Sequence, residues 1–565
     1  MRIHRYHERE TKHVGENMPA SFTPYCGDRY WDYDEIIQWC TQITLLCPEW
    51  ISLKTLGHTQ NNHPIILLIF GKNPETTPTL WVDAGTHASE WTGVMASIFS
   101  MSSWYEELQT KRGKEWFTNN SIAILPCISP DGYQHLRSGG HFVRSSLREA
   151  PKGVERIGLD PQDLTGDGCV RWMRWKHPAG PYCGDETTPM GIRKRNLQDD
   201  PADAFFLCSE GTFLEWDGTS WKQAPLRNGL DLNRNFPVQW SPFSMFGMDG
   251  GVYPLCEIES RLATEALLSL PRTCAVLSNH TYTGALLTQP YHPDPVLGDG
   301  DIRMMYELAE QSVQGTDYRV IQVHPDFSYD PKKRIIGVWA DFVSSNFGIP
   351  AYTLELWNPF SWAGIDMNDP ASFFGHPDPE IITALMTKAC QEDFSTWKTI
   401  EHPQLGTVEV GGFSYLTTIR NPPEHLLIQE CQKGLQVANN MRRSLPSVHA
   451  SYHIELVKEG LYSLSVILEN HGFLSSIGTK RAWDLKIASR PTITITPKPL
   501  SKSPIQRLNI LEGWGTNLYT QNPIYPNLGS SSPREKCSWI VPAGTYQIQW
   551  DAGRGGSGIL DILVG

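Results

Sequence analysis

Leu80-Trp-Val-Asp-Ala84-Gly-Thr-His87-Ala-Ser-Glu90 decides the fold. A short apolar run reaches a glycine and passes through polar residues into a helix over roughly Trp91–Leu108. A second apolar run, Ser121–Cys127, closes on Ser129-Pro-Asp-Gly132, which signals a turn. Strand, helix, strand in this order indicates an α/β sheet with parallel or mixed strands. Upstream, Tyr30–Cys47 repeats Ile36, Ile37, Trp39, Ile43 and Leu46 at three- and four-residue steps, the period of a helix. Ile51–Leu56 and Pro64–Phe70 read as strands around an Asn61-Asn62 turn. Downstream the rhythm returns with helices over Glu257–Leu270, Arg303–Gln314, Ile336–Phe347 and Pro379–Cys390 and strands over Thr273–Ser278 and Ala351–Leu356.

Between these halves, residues 135–229 are rich in Gly, Pro, Arg and Asp and read as an irregular insertion. After residue 444 the character changes. His453–Val457, Leu461–Glu469, Thr492–Thr496, Ser538–Val541 and Gly544–Asp551 are short strands between Gly, Pro and Asn turns, the pattern of an all-β sandwich. The expected organisation is a flexible polar tail (1–20), an α/β domain (21–444) with its insertion, and a β-sandwich (445–565).

The 565 residues are 40% hydrophobic and 19% charged, enough apolar material for a sizeable core. Lys plus Arg is 48 against 61 for Asp plus Glu, and the net charge of −13 argues against a nucleic-acid partner held on a basic face. No run of 18 apolar residues occurs, so no membrane-spanning helix is expected. The first ten residues are charged and mixed in sign, without the apolar centre of a secretory leader, and the expected compartment is the cytoplasm. The 12 cysteines are scattered and read as buried thiols rather than a disulfide scaffold. The 20 tryptophans are dispersed, which suits packing better than a carbohydrate platform.

Chemistry enters at His87-Ala-Ser-Glu90, which sets two metal-ligand side chains three residues apart on one side of a turn. Alone this pair is weak, since a capping histidine and a surface glutamate would look the same. Three further segments carry more. Gly229-Leu-Asp231-Leu-Asn233-Arg234-Asn-Phe-Pro237 is an unusual polar string. Ser278-Asn-His280-Thr-Tyr282 follows a strand. Tyr352-Thr-Leu-Glu355-Leu sets a carboxylate inside an apolar strand, which is costly unless the group is paired or lies near a metal.

Together, and in this order over roughly residues 25–440, these segments resemble the zinc carboxypeptidases of the M14 peptidase family, in a larger, bacterial-type form with a C-terminal β-domain. The resemblance implies a mixed eight-stranded-type sheet flanked by helices. It implies one Zn2+ per chain, held by His87, Glu90 and His280, with Glu355 as the catalytic glutamate. Asn233 and Arg234 match the pair that grips the terminal carboxylate, and Asp231 matches the carboxylate that orients a zinc-bound histidine. The implied reaction is hydrolysis of the C-terminal bond of a peptide with a free C-terminus. The alternative is an amidase or deacylase on the same site, acting on cell-wall peptides or N-acyl amino acids.

The family also places an arginine beside the developing oxyanion. Here 143 residues separate Glu90 from Asn233, and within them Asp163-Leu-Thr-Gly-Asp-Gly-Cys-Val-Arg-Trp-Met-Arg174 resembles a segment of the larger members. Arg174 is taken for the oxyanion role, with Arg137, Arg144, Arg148 and Arg171 competing. The start of that segment partly mimics an EF-hand loop, but Arg174 stands where a bidentate Glu is needed, and a tight Asx-type turn fits better. Tyr329 is the nearest match to the family's mobile, substrate-contacting tyrosine. By the same resemblance Ala340, just before Asp341, which lies 14 residues ahead of Glu355, takes the position at the floor of the pocket for the departing side chain. That implies a preference for apolar or aromatic C-terminal residues, unless Asp199, Asp200 or Asp203 of the insertion supplies a charge to the pocket.

Overall fold

Pro64–Phe70, Thr79–Ala84 and Ser121–Leu125 are buried on both faces almost throughout, which commits them to the middle of a sheet covered on both sides. In the computed structural model, which describes residues 22–149, 155–219, 221–242, 244–245, 247–327, 334–367, 378–519 and 532–565, that sheet has eight strands. In chain order they are β1 (Ile51–His58), β2 (Pro64–Phe70), β3 (Thr79–Ala84), β4 (Ser121–Leu125), β5 (Thr273–Thr281), β6 (Ala285–Thr288), β7 (Arg319–Gln322) and β8 (Ala351–Leu356). Their spatial order is β1-β2-β4-β3-β5-β8-β6-β7. The centre, β4-β3-β5-β8, is parallel, and antiparallel pairs join β1 to β2, β2 to β4 and β8 to β6.

Two apolar cores lie against the sheet. One gathers the helices Tyr33–Leu46, Trp91–Leu108, Asp299–Ser312 and Glu424–Met441, and the other gathers Ile258–Leu268 and Trp339–Phe347. Trp91–Leu108 passes so close to β5 that a Cβ on Gly93 would lie 2.8 Å from the Asn279 carbonyl oxygen.

The sequence reading needs correction in two places. Pro130 sits in the first turn of a helix, Pro130–Arg137, rather than in a simple turn, since its fixed φ and missing N–H suit that position. Residues 135–229 are not irregular throughout. Trp172–Lys176, Tyr182–Gly184, Ile192–Lys194 and Phe205–Ser209 join Ser395–His402 and Gly406–Gly412 in a six-stranded sheet. Strands of three to five residues are too short to show a period, and the strand that joins them to the rest of the sheet pairs Glu409 with Arg174, 235 residues away. Asp163 does form the Asx-type turn, accepting backbone N–H groups from Thr165, Gly166 and Gly168.

Beyond Ser444 the chain forms a three-stranded and a four-stranded antiparallel sheet around a shared core of Leu464, Val466, Ile495, Trp539 and Ile548, a β-sandwich. Among the described residues no helix is long and apolar enough to cross a membrane. All 12 cysteines are thiols.

Candidate active site

Strand register builds the centre of the site. His280 on β5 is the direct partner of Glu355 on the parallel β8, so both side chains project from one face of the sheet. On the other side of β5, Asn279 pairs with Ala84, the last residue of β3. There Gly85, at φ +67°, turns the chain where any Cβ would lie 2.8 Å from the Cys127 sulfur. The turn delivers His87 and ends at Glu90, the residue that opens Trp91–Leu108. Three segments thus converge at the C-terminal edge of parallel strands, where α/β sheets form their crevices.

The side chains meet closely. His87 Nδ1 lies 2.9 Å from Glu90 Oε1, His280 Nδ1 lies 2.8 Å from Glu90 Oε2, and the two Nδ1 atoms are 3.0 Å apart. All three residues are buried, and among the described residues they form the one cluster of metal-ligating groups. The outer ring nitrogens are held from behind. Asp231 Oδ1 is 3.1 Å from His87 Nε2, and Ser278 Oγ is 3.2 Å from His280 Nε2 while donating to Asp83 Oδ1 at 2.5 Å. Asp83 in turn accepts from the indole N–H groups of Trp81 and Trp339. These contacts fix both rings with Nδ1 facing inward, the arrangement expected of metal-ligating histidines. Two imidazoles and one carboxylate with an open side match a catalytic zinc donor set.

The charges follow from burial and neighbours. Burial opposes ionisation of Glu90, but His87, Arg144 and His280 outweigh it and hold the carboxyl well below its usual range. Burial also opposes ionisation of Asp231, and Arg234, His87 and Arg144 overcome it in the same direction. Glu355 goes the other way. Burial, with Glu90 nearby, pushes it up to about 7.

A cavity of about 310 Å3 opens here, lined by Glu90, Glu355, Asp231, Arg144, Arg234 and Arg420 among others. Asp231 also accepts the Asn233 backbone N–H at 2.9 Å. Asn233 Oδ1 accepts from the Trp339 backbone N–H at 2.8 Å, and Arg234 Nη1 donates to the Asn233 carbonyl at 2.7 Å. The structure therefore brings together His87, Glu90, His280, Asp231, Asn233, Arg234 and Glu355.

Arg174 is not brought there. It pairs with Glu409 at 2.9 Å, lies 4.4 Å over the Trp397 ring, and lines a different cavity. Its β-strand pairs with the strand that carries Glu409, which binds the guanidinium to that sheet. Of its competitors, Arg137 lies over Trp91, Arg148 pairs with Asp249 and Glu257, and Arg171 pairs with Asp167 and Asp393. Arg144 alone of the five lines the cavity, 2.8 Å from Glu90. Ala340 is not among the cavity-lining residues either. It is fully buried in the core with Leu232 and Phe236, while Asp341 turns inward to Gln289, His292 and Ser345. Asp199, Asp200 and Asp203 line the cavity that holds Arg174. Tyr329 lies outside the described residues.

Sequence reasoning missed three participants. Asp83 and Ser278 carried a signal, since both are polar residues inside apolar strands. Arg420 carried none, because it lies about 65 residues beyond the last motif and meets the site only through the fold.

Comparison with known proteins gives the family. Its sequence pattern, Peptidase_M14, described as zinc carboxypeptidase, matches residues 36–361, more than half of the chain. Carboxypeptidase B of Astacus astacus is 28% identical over 138 residues, which is 23% of this chain and 43% of that protein. Human carboxypeptidase B is 26% identical over 167 residues, 29% of this chain and 39% of that protein. The chain thus matches less than half the length of these relatives. A crystal structure of carboxypeptidase A from Helicoverpa armigera covers 64% of this chain and 73% of its own, at 16% identity and a TM-score of 0.37. The matched range contains the buried His-Glu-His cluster, the Asn-Arg pair and Glu355, and on that match the chain belongs to the M14 zinc carboxypeptidase family.

Proposed function

We propose that the chain is a zinc-dependent exopeptidase that hydrolyses the C-terminal bond of peptides with a free carboxylate. The observation that carries this reading is the single cavity onto which Glu90, Glu355 and Arg234 all open. Zinc held by His87, Glu90 and His280 would polarise the scissile carbonyl and lower the pKa of water towards about 7.

The chain's own residues supply the rest. Glu355 is raised by burial and is a strong enough base to take a proton from the attacking water and pass it to the leaving amine. Arg144 stands beside Glu90, where its cation faces charge that develops on the carbonyl oxygen, the role first assigned to Arg174. Arg234, with Asn233, offers a planar fork to the terminal carboxylate. Asp231 keeps the His87 ring in one tautomer. Met245, Met248, Leu226 and Phe142 line the same cavity and suit an apolar departing side chain in place of Ala340.

A digest of peptides with free and with amidated C-termini, read by mass spectrometry, tests the reading. Single residues should leave free ends only, chelator should stop their release, and added zinc should restore it. Equal rates on free and amidated peptides would favour an amidase or endopeptidase instead.

A further inference from the structure

We propose that Arg420 is a specificity residue that binds an acidic side chain on the residue preceding the scissile bond, so that peptides with Glu or Asp in the penultimate position are favoured. Arg420 ends a single π-helical turn, Leu416–Arg420, well outside the range 36–361. The next residue pins that turn to the site. Asn421 Oδ1 accepts from both the backbone N–H and the hydroxyl of Thr92 at 3.1 Å, and its amide donates to the Ser89 carbonyl at 2.9 Å. Ser89 and Thr92 flank Glu90 in sequence, so the arginine is held against the metal-ligand segment by built contacts.

The guanidinium itself is poorly satisfied. It is 12% exposed and lines the cavity. Nη1 makes one long bond, 3.3 Å, to the Thr281 carbonyl, and Nη2 stands 3.7 Å from Glu90 Oε1. Nε is buried and has no partner among the described residues. The group lies 5.2 Å over the Tyr282 ring, which supports a cation without using its donors. Arg144 also leaves its Nε without a hydrogen-bond partner among the described residues, but it makes a short 2.8 Å bond to the same Glu90 oxygen, which Arg420 does not. A guanidinium has five donors, and leaving most of them unused at this burial is costly unless a ligand takes them.

Position and charge give the ligand. Arg234 donates to the Asn233 carbonyl and its backbone packs against Gly250 and Gly337, whereas Arg420 donates to the Thr281 carbonyl and lies over the Tyr282 ring, the two residues that follow His280. A peptide with its carboxylate on Asn233 and Arg234 and its scissile bond before Glu355 has only its acyl part left to reach Arg420. Arg144, Arg234 and Arg420 balance Glu90, Asp231 and Glu355 in the lining, so a divalent cation held by His87, Glu90 and His280 would leave an excess of positive charge that one terminal carboxylate does not exhaust. A planar fork with spare donors is matched by a second carboxylate, taken in two parallel bonds.

This inference rests on the exopeptidase reading, and one peptide set separates the two. Acetyl-Ala-Ala-Xaa-Phe with Xaa as Glu, Gln or Lys is compared by release of Phe. If none of the three peptides releases Phe, the exopeptidase reading fails. If Phe is released, the ratio of kcat/KM for Glu over Gln tests Arg420. The expected ratio is about ten- to a hundredfold, carried mainly by KM, with Lys slowest. In Arg420→Gln the ratio should collapse towards about one, and Arg420→Lys, which keeps the charge and loses the fork, should fall between. Because the ratio is read within each protein, a general loss in a variant cancels. A wild-type ratio near one overturns the proposal whether or not a variant folds, and so does a ratio that survives in Arg420→Gln.

Discussion

Glu355 is a carboxylate where the sheet would otherwise place an apolar side chain, and its environment suits the base role proposed for it. Burial and Glu90 raise it, while His280, Arg420 and Arg144 limit the rise. Glu355→Gln keeps the shape and removes the proton acceptor. Zinc content should stay at one per chain while kcat falls by at least about a hundredfold. Metal analysis beside single-turnover kinetics checks both halves, and near-normal turnover in a loaded variant would refute the role. His280→Ala acts on the other half of the site. It removes the side chain that contacts both His87 and Glu90, the third of the proposed ligands, so most of the zinc should be lost on dialysis. Full occupancy would show that the ligand set is wrong. At this scale the sequence was informative wherever a polar side chain interrupts an apolar strand, as at His280 and Glu355, because such a residue needs a reason to be buried. The arginines were not legible in that way. A guanidinium sits at the end of a long side chain, and Arg174 is drawn off by Glu409, 235 residues away in sequence.

Elements were legible in proportion to the length and apolarity of their periods. Trp91–Leu108, Pro64–Phe70 and Ala351–Leu356 begin and end where their apolar runs do. Glu424–Met441 shows no clear apolar period although it is as long as Trp91–Leu108, because Glu430, Cys431, Gly434 and Ala438 carry much of its buried face. A buried glutamate also marks Ile258–Leu268. Glu259 is 3% exposed, and burial, with Glu257 and Asp131 adding repulsion, pushes it up to about 7. The folded carboxyl therefore holds its proton more tightly than an unfolded one, whose pKa is about 4.3. Its favourable contribution is fully present below that value and is lost as pH rises through about 7. Glu259→Gln keeps the neutral shape at every pH. The variant should nearly match wild type near pH 4 and be more stable by about 3.5 kcal/mol at pH 8. Denaturant melts of both proteins across that range check it, and a difference that does not grow with pH would refute the buried-acid account.

On the scale of the whole molecule, the β-sandwich is bolted to the element that leads into the strand carrying Glu355. Arg554, in the sandwich, reaches across to the carbonyls of Phe347 and Gly348 at 2.7 and 2.8 Å, and to Ile477 at 2.7 Å. Gly348 takes a left-handed conformation at the end of Trp339–Phe347, just before β8 carries the chain to Glu355. A Cβ there would meet the Ala482 backbone nitrogen at 2.3 Å, so the sandwich packs directly on this turn. Two further ties hold the same face. Arg272 binds Asp551 and the Gly553 carbonyl, and Asp301 accepts the backbone N–H groups of Lys480 and Arg481. Burial lowers the Arg554 guanidinium to about 10, still well above neutrality, so it stays charged and needs its three carbonyls, as they need it. Arg554→Met keeps much of the volume and removes every donor, leaving helix-end carbonyls without their partner. Stability should fall by about 3 kcal/mol, and the loss should reach the catalytic half because the turn before β8 is released. Two readings taken together decide this: the melting temperature of the full chain, and the rate of proteolysis near residue 445. A lower melting temperature with faster cleavage there is the expected result. A variant that melts with wild type and resists cleavage equally would show that the sandwich merely rests on the catalytic half.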